Sequence, residues 1–80
     1  MKSVKISLQM ASQVKAFVSI VQKYSYDIDL RSDRYVVDAK SILGIFSLDL
    51  SKPINVEIHS TDKDMAECEQ LLERLKQFTE

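Results

Sequence analysis

Four stretches of this chain alternate between apolar and polar residues, and that alternation limits the fold to a sheet covered on one side. Val4, Ile6 and Leu8 alternate with Lys5 and Ser7; Tyr26, Ile28 and Leu30 with Asp27, Asp29 and Arg31; Ile54, Val56 and Ile58 with Asn55, Glu57 and His59. Tyr35, Val37 and Ala39 form a further strand, joined to the second through a tight turn at Ser32-Asp33. Side chains on a strand point to opposite faces with period two, so each stretch offers one greasy face and one wet face. Such sheets are usually antiparallel, with helices on the apolar side.

Between and after the strands the period changes to that of a helix. Val14, Phe17, Val18, Val21 and Tyr24 fall on one face, with Lys15, Ser19, Gln22 and Lys23 on the other, and Ser12 is placed to cap the segment. Near the C-terminus Met65, Cys68, Leu71, Leu72, Leu75 and Phe78 form a broad apolar stripe, preceded by a capping-box spacing of Asp64 and Glu67. A short helix is expected from about Ser41 to Leu48. The order is β-α-β-β-α-β-α: an α+β, open-faced sandwich with a four-stranded antiparallel sheet and three helices on one face. At 80 residues this is a single domain, residues 1–80.

Ser41 to Leu48 is the unusual segment. Ile42, Leu43, Ile45, Phe46 and Leu48 are too many apolar residues for one buried stripe, so part of them faces solvent beside the Ser41 hydroxyl. An exposed apolar patch on a small protein usually marks an interface. Against this stands a plainer reading, in which all are core and Gly44 merely lets helix and sheet approach. Ser41 likewise has a plain role as helix N-cap, worth about 1 kcal/mol.

Other chemistry is scarce. A net charge of −1 without a basic stripe argues against nucleic-acid binding. No uncharged run approaches the ~20 residues of a membrane span, and Met1-Lys2-Ser3-Val4-Lys5 lacks the apolar core of a signal peptide. With a single cysteine, Cys68, on an apolar stripe, the chain is expected to be cytoplasmic and reduced, with that thiol acting as a small hydrophobe. His59 is the one histidine and reads as a solvated residue of the wet sheet face. No residue cluster has metal-ligand spacing, no nucleophile has an evident base, and one glycine cannot form a phosphate loop. No metal, cofactor or catalytic residue is expected.

The order of elements, the length and the run Val37-Asp38-Ala39-Lys40-Ser41-Ile42-Leu43-Gly44-Ile45-Phe46-Ser47-Leu48 resemble the HPr family of the bacterial phosphotransferase system. The run is especially similar to Crh, the HPr paralogue of carbon catabolite repression. The resemblance implies that Ser41 is the serine modified by a bifunctional kinase/phosphorylase. It implies partner contacts for Lys40, Ile42, Leu43 and Phe46, and a buried position for Ile45 and Leu48. A phosphate on Ser41 adds roughly −1.5 to −2 charges, in a place where the helix dipole tolerates an anion and Lys40 partly neutralises it.

HPr proteins carry a phosphoryl group on a histidine in the loop before the first helix, in a motif of the type Gly-x-His-x-Arg-Pro-Ala. Here Met10 falls at the histidine position, Ala11 follows, and Ser12 and Gln13 stand at the arginine and proline positions. A thioether cannot form the phosphoramidate. The resemblance therefore implies a regulatory binding module in carbon catabolite regulation, with the serine kinase/phosphorylase and a LacI-type transcriptional regulator as partners; enzyme I and enzyme II components are the remaining family partners. Two alternatives stand beside it: a constitutive protein-interaction domain, and a phosphocarrier that uses another residue.

Overall fold

The computed structural model describes residues 2–33, 35–59 and 65–79. Strand β1 (Lys2–Ile6) leads to helix α1 (Ala11–Val21), then to β2 (Asp27–Ser32) and β3 (Tyr35–Asp38) in hairpin. Helix α2 (Ile42–Phe46), strand β4 (Ile54–His59) and helix α3 (Met65–Leu75) follow, and a 3-10 turn, Lys76–Phe78, ends the described chain. The sheet order is β1-β4-β2-β3, with every neighbour antiparallel.

The register explains why one face is dry. Ile58 lies opposite Ile28, and Val56 bridges Val4 and Leu30, so apolar side chains line up in rows across the strands. These rows join Val14, Phe17, Val18 and Val21 of α1, Ile45 of α2 and Cys68, Leu71 and Leu75 of α3 in one core. The intervening rows, Asp29 opposite Glu57 and Arg31 opposite Asn55, lie on the face without helices. The expected open-faced α+β sandwich is the fold observed.

Several local expectations are corrected. Helix α1 starts at Ala11 with Met10, not Ser12, at its N-cap. Gln13 N–H (2.9 Å) and Val14 N–H (3.1 Å) donate to Met10 O and close the first turn, while the Gln13 side-chain oxygen accepts from the backbone N–H groups of Gln9 (2.9 Å) and Met10 (3.0 Å) just before it. Tyr24, expected inside that helix, lies beyond its end; its N–H donates to Val21 O at 3.1 Å, and its ring is still buried. Strand β1 stops at Ile6, yet Leu8 is fully buried in the core, and Ser7 N–H donates to Phe78 O at 2.9 Å, tying the segment to the 3-10 turn.

Tyr35 does not reach the core. It pairs with Ser32 at the tip of the hairpin, on an edge strand, and is largely exposed. Met65, at the start of α3, is exposed too, which narrows that helix's buried stripe to Cys68, Leu71 and Leu75. Phe78 enters the core from the 3-10 turn rather than from α3, edge-to-face on Phe17 with ring centroids 5.9 Å apart. The Asp64 cap falls outside the described residues.

Candidate functional site

The site is built by the turn that leads from β3 into α2. Asp38 organises it: its side-chain Oδ1 accepts from Lys40 N–H at 2.8 Å, and its carbonyl accepts from Ser41 N–H at 3.0 Å. An aspartate that bonds the backbone two residues ahead folds the chain back locally. Ser41 emerges extended (φ −103°, ψ 109°) as the N-cap of α2. Its Oγ accepts from Gly44 N–H at 3.1 Å, and its carbonyl accepts from Ile45 N–H at 3.0 Å. At the far end Ser47 Oγ donates to Gly44 O at 2.5 Å, so two hydroxyls bracket a helix of five residues.

Helix α2 divides its apolar residues between two environments. Ile45 is fully buried and Leu48, just after the helix, nearly so. Leu43 is 85% exposed, Phe46 44% and Ile42 38%. The crowding of the segment is thus resolved by splitting it: one side anchors α2 against β3 and α1, and the other presents three large apolar side chains to solvent.

Lys40 departs from its expected place. Its ammonium donates to the carbonyls of Tyr24 (2.6 Å) and Tyr26 (3.0 Å), in the connection between α1 and β2, and the residue is half-buried. It is a staple between two loops rather than a free counter-charge for Ser41.

The other expected residues lie elsewhere. Met10 is 63% exposed at the start of α1, with Ala11 and Ser12 exposed in the first turn and Gln13 turned back to cap it. His59 is on the helix-free sheet face, its Nε2 3.0 Å from Asp29 Oδ2. Beside it Arg31 Nε donates to Glu57 at 2.9 Å, and this hydrogen bond holds the Glu57 carboxyl below its ordinary range. In the loop after α2, Asp49 is lowered likewise by bonds from the Ser51 hydroxyl and N–H. Cys68 is fully buried. Among the described residues no group of His, Cys, Asp or Glu is arranged to hold a metal ion, and no helix is long and apolar enough to cross a membrane.

Two features of the site escaped the sequence reading: the Gln13 cap and the inward use of Lys40. The first had a signal, a glutamine three residues after Met10 at the capping-box spacing. The second had none, because Lys40 is separated from Tyr24 and Tyr26 by a whole hairpin.

With this geometry in place, the comparisons decide the family. The family model described as "PTS HPr component phosphorylation site" matches residues 8–80. The chain belongs to the HPr family. Solved HPr structures share its fold: HPr from Thermoanaerobacter tengcongensis, 29% identical with a TM-score of 0.73, covers 95% of this chain and 92% of its own. HPr from Bacillus anthracis is 29% identical, with a TM-score of 0.69 over 99% of this chain and 94% of its own. Crh of Bacillus subtilis, a catabolite repression protein described as a domain-swapped dimer, is 26% identical, with a TM-score of 0.64 over 96% of this chain and 88% of its own. Among curated protein sequences no relative matches. HPr proteins are phosphocarriers of the phosphotransferase system rather than catalytic enzymes. In this HPr-family chain Met10 stands at the mouth of α1, and the single histidine, His59, lies in β4.

Proposed function

We propose that this HPr-family chain is a regulatory binding module of the cytoplasm, acting in carbon catabolite regulation, whose docking helix α2 is switched by phosphorylation of Ser41. One observation carries the reading: α2 presents Ile42, Leu43 and Phe46 outward directly after a half-exposed Ser41. A dianionic phosphate on Ser41 changes the charge beside an apolar contact surface, which alters what docks there without refolding the domain. Ile42, Leu43 and Phe46 are the contact residues. Lys40 contributes by fixing the turn that presents Ser41, since its ammonium is engaged by Tyr24 O and Tyr26 O. The family's serine kinase/phosphorylase writes the switch and a LacI-type transcriptional regulator reads it. The loop of Met10, Ala11, Ser12 and Gln13 has no imidazole to accept a phosphoryl group, which favours regulation over carriage.

Incubation with the kinase/phosphorylase and ATP, followed by peptide mass spectrometry, tests the switch: one phosphate on Ser41 is expected, and its absence sinks the reading. A second reading, a constitutive interaction domain, draws on the Ser41 hydroxyl already serving as a cap for Gly44 N–H. A carrier role on a non-standard residue is tested with enzyme I and phosphoenolpyruvate; no acid-labile label is expected on the chain.

A further inference from the structure

The sheet has two edge strands, β1 and β3, and their edges are not alike. Ala39 N–H donates to Ile28 O at 2.9 Å, which sets the phase of the ladder between β2 and β3. Tyr35 and Val37 therefore turn their backbone groups towards β2, and Val36 turns its N–H and C=O outwards. An unpaired edge of this kind is a template for a further strand unless something blunts it. On β1 the blunting is plain: Lys2 and Lys5 stand on the strand, and Ser7 N–H, just beyond it, is taken by Phe78 O. Strand β3 carries no lysine or proline and pairs without a bulge, and it offers Tyr35 at 70% exposure and Val36 at 44%.

We infer that this edge pairs with the same edge of a second copy of the chain, antiparallel, with Val36 of both copies at the two-fold axis. The occupant is a copy because the edge is complementary to itself. Outward backbone must meet outward backbone, so Val36 against Val36 forms one pair bonded N–H to C=O in both directions. The Asp38 carbonyl already accepts from Ser41 N–H at 3.0 Å, which disfavours a register shifted towards α2. With Val36 on the axis, Tyr35 falls opposite Val37 of the other copy, on the helix side. Val37 is half-buried against the core, so the exposed Tyr35 ring gains an apolar seat that its own hairpin tip lacks. On the helix-free face the two Val36 side chains meet, and each flanking Arg31 is already paired with Glu57 of its own chain. Asp38 falls against position 34 of the other copy, which the sequence fills with arginine, so opposite charges close both ends. Two four-stranded sheets become one, with both α2 helices on the same side. A strand of four residues is far short of the roughly 20–30 residues a side of a stable interface, so the dimer is reversible and depends on concentration.

The test is sedimentation equilibrium of the full chain over a range of concentrations, beside Val36→Lys, together with disulfide trapping of Val36→Cys. A reversible dimer is expected, and Val36→Lys, folded by circular dichroism, should raise its dissociation constant at least tenfold. The bonded pair brings its Cα atoms to about 5.5 Å, inside the roughly 4.4–6.8 Å that a disulfide spans. Glutathione disulfide, reduced to glutathione as the two thiols join, should therefore link Val36→Cys chains at least tenfold faster than Leu43→Cys chains, whose site is more exposed. A chain that stays monomeric at every concentration overturns the inference, as does a Val36→Lys dimer of unchanged affinity. A dimer that fails to dissociate on dilution indicates an exchanged segment rather than a paired edge and overturns it too. Equal trapping rates at the two cysteines place any contact away from the β3 edge and do the same.

Discussion

Replacing Lys40 by methionine separates a structural staple from a surface contact. Methionine keeps most of the aliphatic stem and removes the ammonium that donates to Tyr24 O at 2.6 Å and Tyr26 O at 3.0 Å. Hydrogen bonds from a charged donor contribute roughly 1.5–3 kcal/mol each, and most of that is lost when a poorly hydrated carbonyl is left without its partner. Tyr24 and Tyr26 are both buried residues, but Lys40 itself is half-exposed, so water recovers part of the loss. For the two bonds together the expected cost is about 2–4 kcal/mol, against a total stability of about 4–12 kcal/mol for a domain of this size. That corresponds to a fall in Tm of roughly 10–25 °C. Urea denaturation by circular dichroism reads it as a lower midpoint at unchanged slope. Hydrogen exchange should quicken at the β2 and α2 ends that the staple joins. A Lys40→Met chain within about 0.5 kcal/mol of wild type, as for an ordinary surface substitution, refutes the staple.

The split of α2 is tested by a pair of truncations: Ile45→Ala should cost about 2–5 kcal/mol in the same denaturation experiment, as deletion of a buried isoleucine does, while Leu43→Ala should cost less than about 0.5 kcal/mol. Phe46→Asp should change the unfolding free energy by no more than about 1 kcal/mol and abolish binding to the regulator in a titration; intact binding would remove Phe46 from the contact surface. On the helix-free face, Arg31 lowers the folded pKa of Glu57 below its ordinary 4.5, so the pair's contribution is fully present above pH 4.5 and is lost as pH falls through the folded value. The Tm difference between wild type and Glu57→Gln should therefore be largest at neutral pH and shrink as pH falls below 4.5; a difference that does not change with pH contradicts the assignment.

Where local pattern settles the outcome, the sequence told the structure well. The alternations at Ile28 and Leu30 and at Ile54, Val56 and Ile58 placed the dry face correctly; the overcrowding of α2 foretold that part of it faces solvent, and the family resemblance named Ile42, Leu43 and Phe46 as that part and Ile45 and Leu48 as the buried one. Tertiary context decided the misses. Tyr35 carries the right phase for the core, but it sits at the tip of an edge hairpin, and period-two alternation says nothing about where the helical layer ends. Ser12 has a good capping side chain, yet the helix already starts at Ala11, where Met10 takes the N-cap and Gln13 bonds back to Gln9 N–H and Met10 N–H. Lys40 reads as a surface cation because its acceptors are backbone carbonyls 14 and 16 residues away, and no residue type announces those.

In the proposed switch, a phosphate on Ser41 changes what α2 binds. Isothermal titration of a LacI-type regulator of carbon catabolite genes with the unmodified chain and with the Ser41-phosphorylated chain measures this directly. Affinities that differ at least tenfold between the two forms are expected, with Phe46→Asp abolishing binding of the form that binds more tightly. Equal affinities for the two forms would contradict the switch and leave α2 as a constitutive contact surface.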